Sequence, residues 1–281
     1  MARVAIFTDS ASDLDPAEAA ASGIHVIPLI VNFGDKSFRA GVDMDGTEFW
    51  ARMTAPDAPF PTTAASSPGV FKDAYEAAFE AGAEAIVSIH VAGSLSGTIK
   101  SAEVARGMLP DREIHVVDSL GASMAEGILA RMAVRLAADG RPAADIAAVL
   151  EERAPDMRMY VALETLEYLK KGGRISGAQA AIGTLLSVKP IIAVTHGVVE
   201  TADRVRTRSK ARERVIDLIC ERPIESLAIL HTVTPDIEAF RDEVVARAGL
   251  RVDDVTINLV GASVGPHLGP GCVGAAVLYR A

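Results

Sequence analysis

The sequence predicts an α/β fold: a mostly parallel sheet with helices on both faces, followed by a second α/β unit. Short β-branched runs alternate with alanine-rich amphipathic runs through the first half, the pattern of βα units that cover both faces of a parallel sheet. The rhythm changes near Ala154-Pro155-Asp156. A chain of 281 residues is also at the size where one hydrophobic core gives way to two. The boundary is placed within 155–159, giving an N-terminal domain of residues 1–156 and a C-terminal domain of residues 157–281.

In chain order, Val4–Phe7, Ile24–Val31, Ala85–Val91 and Ile114–Val117 read as buried strands, each bounded by polar residues or glycine. Between them Phe71, Tyr75 and Phe79 recur at helical spacing, as do Met124, Ile128, Met132 and Leu136. These stripes read as core faces rather than cofactor contacts. Asp15-Pro16-Ala17-Glu18 supplies an N-cap, a first-turn proline and an acid three residues beyond the cap, and Ser67-Pro68 marks another helix start. Past the boundary, strands are expected at Met159–Leu163, Ile191–Val194, Leu227–Leu230, Thr256–Val260 and Val273–Leu278, with helices at Ala211–Cys220 and Ile237–Arg247.

Composition removes several classes of function. With 28 basic and 37 acidic residues the chain carries a net charge of −9, which disfavours broad binding to nucleic acid or anionic membranes. Two cysteines, Cys220 and Cys272, without a CxxC pattern, imply neither a disulfide framework nor a zinc knuckle. The N-terminal apolar stretch ends after four residues, too short for the apolar region of a signal peptide. The most hydrophobic decapeptide, Ile24–Phe33, is interrupted by His25, Pro28 and Asn32, whereas a spanning helix needs about 20 apolar residues. The sequence therefore reads as that of a soluble, cytoplasmic protein without stable membrane insertion.

Several familiar signatures fail on inspection. Gly269-Pro270-Gly271-Cys272-Val273-Gly274 matches GxGxxG, but too few residues follow to build the helix, second strand and acidic residue of a dinucleotide site. Gly93-Ser94-Leu95-Ser96-Gly97 misses the nucleophile elbow because its middle residue is leucine. No Gly-Lys dipeptide exists to form a phosphate-binding lysine loop. The six histidines show no metal-ligand spacing. With no metal-carboxylate cluster visible either, no cofactor, metal site or autonomous ATP turnover is expected. An acyl hydrolase would need a nucleophile with a base beside it, and no motif arranges one.

Five segments keep a functional reading. Ser94–Ala102 crosses from the Ala85–Val91 strand into a helix, so its hydroxyls and free backbone N–H groups suit a phosphate or carboxylate; the plainer reading is a serine N-cap. Pro61–Gly69 is a second hydroxyl cluster, and Asp9-Ser10 falls at the same carboxyl end of the sheet, where ligands of open α/β folds gather. Gly265-Pro266-His267-Leu268-Gly269-Pro270-Gly271 holds a histidine within a run of glycine and proline, either a tight turn or a loop that positions a functional group. Arg204, Arg206, Arg208, Lys210, Arg212 and Arg214 alternate along the chain. Such a run is commonly a solvated strand edge or helix start, less commonly a phosphate-facing patch.

Taken together, these motifs resemble the DegV family of bacterial fatty-acid-binding proteins along essentially the full length. The resemblance rests on Thr8-Asp9-Ser10 with Asp13-Leu14, on Pro61, Thr63 and Ser67-Pro68-Gly69, and on Leu95-Ser96-Gly97-Thr98 with Ser101-Ala102. It continues through Val117-Asp118-Ser119, Leu169-Lys170-Lys171-Gly172-Gly173-Arg174-Ile175-Ser176, Lys189-Pro190-Ile191 and the glycine-rich run around His267. It implies a C-terminal domain with a mixed sheet and a long-chain fatty acid between the domains, its tail in a buried apolar tunnel. It also implies a separate ATP-dependent kinase that makes the acyl phosphate, so that this chain is not itself an enzyme. By the match, Thr63 and Ser96 bind the carboxylate, with Gly97 and Thr98 beside them, and Arg174 and His267 are polar neighbours of the head group. Arg206 becomes a contact for the phosphoryl group or the kinase. The family commonly has Thr-Ser-Gln-Pro at the first site, whereas Ala64, Ala65 and Ser66 follow Thr63 here, which makes Thr62 a second candidate. The alternative reading is the substrate-binding subunit of a dihydroxyacetone-type kinase, which is similar in fold and uses a histidine to hold its substrate.

Overall fold

The computed structural model describes residues 3–175 and 188–280. Four parallel strands form the first sheet in the order β2 (Ile24–Ile27), β1 (Val4–Asp9), β6 (Ala85–His90) and β7 (Glu113–Asp118). Alternation along these strands feeds two cores. Phe7 and Ile86 pack beneath α3 (Pro68–Glu80) and α4 (Thr98–Gly107), with Phe71, Tyr75 and Phe79. Ile6, Val87 and Ile89 face the opposite way. The Asp15 side chain caps α1 (Pro16–Ser22) by accepting from Ala17 and Glu18 N–H, and Gly23 ends it in the left-handed region.

Ile24–Val31 is not one strand. It breaks at Pro28, which has no N–H for a ladder; the Pro28 carbonyl instead accepts the Ser66 hydroxyl. Beyond the break, β3 (Ile30–Phe33) joins a separate antiparallel sheet between β4 (Lys36–Arg39) and β5 (Thr62–Ala64). Helix α2 (Gly46–Met53) packs Phe49 and Trp50 against this sheet, and the Trp50 indole N–H donates to the Val260 carbonyl at 2.8 Å.

From Met157 onward the strands belong to a mixed six-stranded sheet. Its order is β10 (Val198–Val205), β9 (Lys189–Thr195), β8 (Met157–Ala162), β13 (Val273–Tyr279), β11 (Ile224–His231) and β12 (Thr256–Leu259). Only the β11–β12 pair is parallel. Its outer face is covered by α8 (Arg208–Ile219) and α9 (Ile237–Ala248), through Val215, Ile219, Phe240 and Val244.

Helix α5 (Met124–Ala138) lies between the two large sheets, with α6 (Ala143–Arg153) beside it. Met124, Ile128 and Met132 of the predicted stripe are buried and Leu136 is half-buried, while Ala125, Glu126, Leu129, Ala130 and Ala133 are buried on the other faces. From Met124 to Ala130 the helix is covered on all sides and apolar except at Glu126; beyond that Arg131 is half-buried and Arg135 exposed. No helix among the described residues is long and apolar enough to cross a membrane.

Polar contacts join the two halves around the end of β1. The Ser10 and Ser263 hydroxyls lie 2.8 Å apart, and Ser10 Oγ also accepts from Leu29 N–H. Asp13, held at φ 52°, accepts from Gly261 N–H at 2.8 Å and from the Ser123 hydroxyl, while its carbonyl accepts from Asn258 Nδ2. Burial in this junction pushes the Asp13 carboxyl up to about 7. Because the folded value lies above the unfolded one (about 4), this contribution to stability is complete below pH ~4 and is lost as the pH rises through about 7. Asp13→Asn keeps an acceptor toward Gly261 and does not ionise. Urea unfolding of both proteins is therefore expected to show the wild-type advantage shrinking from about pH 4.5 to 7.5; a difference that does not change with pH would mean that Asp13 is ionised throughout.

Candidate functional site

A cavity opens where the two halves meet, lined mainly by apolar side chains of the second sheet and of the segments that follow strands of the first. Leu29, Val91 and Leu95 come from the N-terminal half, and Met159, Ile192, Val194 and Val199 from the second sheet. The space between these walls, open mouth included, is about 730 Å³. Its polar lining consists of Thr63, Ser96, Gly97, Arg174, Ser263 and His267.

Each of these groups is placed by local structure. Thr63 sits on β5, paired with Val31 of β3. Ser96 and Gly97 lie in the loop after β6, just before α4. Gly172 and Arg174 follow α7 (Glu167–Lys171), and His267 belongs to the short helix α10 (Gly265–Leu268). His267 Nε2 lies 3.1 Å from Thr63 Oγ1. Arg174 donates from Nε to the Leu95 carbonyl at 3.1 Å and from Nη1 to the Gly172 carbonyl at 2.7 Å. Burial, and then the charge of Arg174, hold His267 down to about 4, so its imidazole is neutral at physiological pH. Its Nδ1 is buried without a hydrogen-bond partner.

Glycine makes this packing possible. A Cβ on Gly172 would lie 2.1 Å from His267 Nδ1, and one on Gly269 (φ 77°) would lie 2.2 Å from the Tyr168 ring. Gly172 therefore lets the segment after α7 close against His267, and Gly269 lets the glycine-rich run close against Tyr168.

The sequence-predicted residues divide into two groups. Thr63, Ser96, Gly97, Arg174 and His267 come together at the cavity, with Ala64 and Ala65 also on its wall. Thr62 does not join them: as Thr63's neighbour on a strand it faces the other way, and it is exposed. Thr98 is buried just behind, its hydroxyl 2.8 Å from Ser96 Oγ. Helix α4 has Gly97, not serine, at its N-cap, although Ser96 Oγ accepts from Thr98 N–H at 3.3 Å. Ser94 serves elsewhere, donating to the Gly197 carbonyl across the junction. Thr63 stands on the antiparallel sheet rather than in a turn at the end of the parallel one. Ser176 lies outside the described residues. Arg206 is exposed in the turn between β10 and α8, away from the cavity lining. Its neighbours are engaged in ion pairs: Arg208 and Arg212 with Asp236, and Arg214 with Asp203.

Two features escaped the motif search. The fold sets a hydroxyl beside an imidazole, Thr63 and His267, although no motif does. It also gathers Asp9, His90 and Glu126, from β1, β6 and α5, into one fully buried cluster. These residues are far apart in sequence and meet only in the folded chain, so no sequence spacing announces them.

Comparison with known proteins fits this geometry. The family model described as uncharacterised DegV-family proteins matches residues 3–280. The chain belongs to the DegV family. A DegV domain-containing protein of Streptomyces coelicolor is 35% identical over 286 residues, covering 99% of each chain. A solved structure titled as fatty acid binding of a DegV family protein from Thermus thermophilus is 36% identical, with a TM-score of 0.90 over 99% of this chain and 100% of that one. A stearic-acid-binding protein from Eubacterium ventriosum is 25% identical, with a TM-score of 0.91 over 98% of each chain.

The closest approach in the site is also its sharpest test. Gly172 has an ordinary helical backbone (φ −76°), so alanine there meets a steric rather than a conformational obstacle. Gly172→Ala is expected to displace His267 and weaken ligand binding about tenfold or more while thermal stability falls only modestly. Wild-type affinity in a folded G172A protein would show that the seating of His267 does not matter.

Proposed function

We propose that this chain binds a long-chain fatty acid, with the carboxylate at the junction of the two halves and the acyl tail in the apolar cavity. The observation that carries this reading is the polarity of the cavity: its walls are apolar, and Thr63, Ser96, Arg174 and His267 are all on its lining. A carboxylate leaving water needs hydrogen-bond donors, and two hydroxyls, a guanidinium and a neutral imidazole supply them. About sixteen methylenes at about 0.8 kcal/mol each give a gross term above 10 kcal/mol. Ordering and association costs reduce this, leaving room for submicromolar affinity. The fatty acids named for solved relatives support the same ligand class.

In this reading the protein is a non-enzymatic cytoplasmic carrier without a cofactor for catalysis, and it presents its ligand to a separate ATP-dependent kinase that forms the acyl phosphate. His267 keeps a dihydroxyacetone-type kinase subunit as the alternative, but an apolar cavity suits an acyl chain better than a triose. The Thr63–His267 pair favours an acyl hydrolase by its 3.1 Å separation. Against that, an imidazole acting as base is oriented through its other nitrogen, and His267 Nδ1 has no partner.

Thr63 and Ser96 test the head-group assignment. Hydrogen bonds to a charged group contribute roughly 1.5–3 kcal/mol, so Thr63→Ala and Ser96→Ala should each weaken fatty-acid binding about ten- to a hundredfold. Because the two hydroxyls share one acceptor, the double mutant should fall short of the sum. Fatty-acid titrations and thermal melts on the same proteins separate this from a role in starting α4, where Ser96→Ala would cost about 1 kcal/mol of stability and little affinity. Wild-type binding by both single mutants would refute the assignment.

Arg206 tests the partner. Since it lies outside the cavity, Arg206→Ala should leave lipid affinity unchanged and slow acyl-phosphate formation in a reconstituted kinase assay. An unchanged rate would return the arginine run to a solvated surface.

A further inference from the structure

The Asp9, His90 and Glu126 cluster is built from three elements at the carboxyl end of the first sheet, and all three side chains are completely inaccessible. One donor atom from each lies within 4.8 Å of the others. We propose that these residues form a site for a single divalent cation of the zinc or manganese type.

The hydrogen bonds around the cluster argue for this. Asp9 Oδ1 accepts from Ala11 N–H at 2.8 Å, and Oδ2 accepts from Val91 N–H at 3.2 Å. Glu126 Oε1 accepts from the Thr8 hydroxyl and from Asp9 N–H. His90 Nε2 lies 2.6 Å from Ser88 Oγ, which in turn accepts from the Tyr75 hydroxyl at 2.8 Å. The Phe71 ring meets the imidazole edge-on and fixes its plane. Ligand side chains are held this way in metal sites, where the atoms that do not face the ion are hydrogen-bonded to the protein. Within the cluster His90 Nδ1 and Asp9 Oδ2 share a hydrogen bond at 3.0 Å, which an ion would replace, and Glu126 Oε2 is buried without any hydrogen-bond partner.

The donor set decides the class of ion. One imidazole and two carboxylates suit zinc or manganese better than the all-oxygen shells of calcium and magnesium. Two carboxylates also balance a divalent charge, which removes the cost of burying acids without a counter-charge. On binding, the ion replaces the imidazole proton at Nδ1, and that proton, with any carried by Glu126, leaves to solvent. The ion would tie β1 and β6 to α5 beside Ala11 and Val91, both of which line the cavity. The cluster itself is not part of the cavity lining.

The test uses the full chain, stripped with a chelator and incubated in separate arms with zinc or manganese. After desalting, metal content is measured by mass spectrometry and stability by thermal melting, with no lipid added. The expected result is about one ion per chain in one arm, with a raised melting temperature relative to the stripped protein. Glu126→Gln keeps the side-chain shape and its contact with Thr8, and should lose both the ion and the stabilisation; His90→Gln serves as a second variant if Glu126→Gln does not fold. A wild-type protein that retains no ion in either arm would overturn the proposal and leave Glu126 as a buried neutral acid. Equal retention by wild type and variant would overturn it too, by placing the ion elsewhere, such as on the exposed Glu113–His115 pair. Neither outcome bears on the reading of the cavity.

Discussion

The hydrogen bond from Arg174 Nε to the Leu95 carbonyl is the contact on which the polar lining of the cavity depends. It carries a cation from the second half of the chain across to the loop that holds Ser96 in the first. With its other branch on the Gly172 carbonyl, Arg174 is fixed in one plane rather than left as a mobile surface charge. A guanidinium held in this way is pre-organised for a planar anion. Its field also helps keep His267 neutral, so the site offers one full positive charge and several neutral donors. That balance allows a single carboxylate to be neutralised without leaving a surplus charge in a poorly solvated cleft.

The two halves meet through a few polar bonds around residues 10–13 and 258–263, and through α5, whose faces serve both sheets. Such an arrangement makes the cavity a product of the junction. Its apolar wall uses β9 and β10 from one side and the segments after β1 and β6 from the other, so neither half alone forms it. Gly172 after α7 and Gly269 in the Gly265–Gly271 run serve the same end, because only a residue without a Cβ can approach His267 and Tyr168, respectively, so closely.

Much of the fold was legible because the central strands of the first sheet, β1 and β6, are largely buried on both faces and read as short apolar runs. The exceptions have physical reasons. Ile24–Val31 looks continuous in hydropathy, and only the missing N–H of Pro28 divides it between two sheets. The Met124 stripe shows that α5 has an apolar face but not that its first turns are covered on every face, since that depends on a second sheet built from distant residues. The alternating arginines look like one surface feature, yet the chain turns from β10 into α8 at Thr207, so a period of two does not survive in space. At the site, family motifs marked the polar residues other than Ser263, whose surroundings in sequence carry no distinctive signal. Met159, Ile192 and Val194 were readable as core strands but not as a cavity wall, because an apolar side chain facing a cavity is the same in sequence as one facing a core; Val199 lies on β10, a strand outside those expected. The Asp9–His90–Glu126 cluster was invisible for the converse reason: its members carry chemistry, but no spacing connects them.

The central claim is that the cavity between the halves holds a long-chain acyl carboxylate. Native mass spectrometry of the purified chain, before and after incubation with a long-chain fatty acid, tests it most directly. The account predicts a one-to-one adduct with the mass of a C14–C18 acid, either co-purified or acquired on incubation. A chain that stays free of lipid after incubation, or that carries a triose adduct instead, would contradict it.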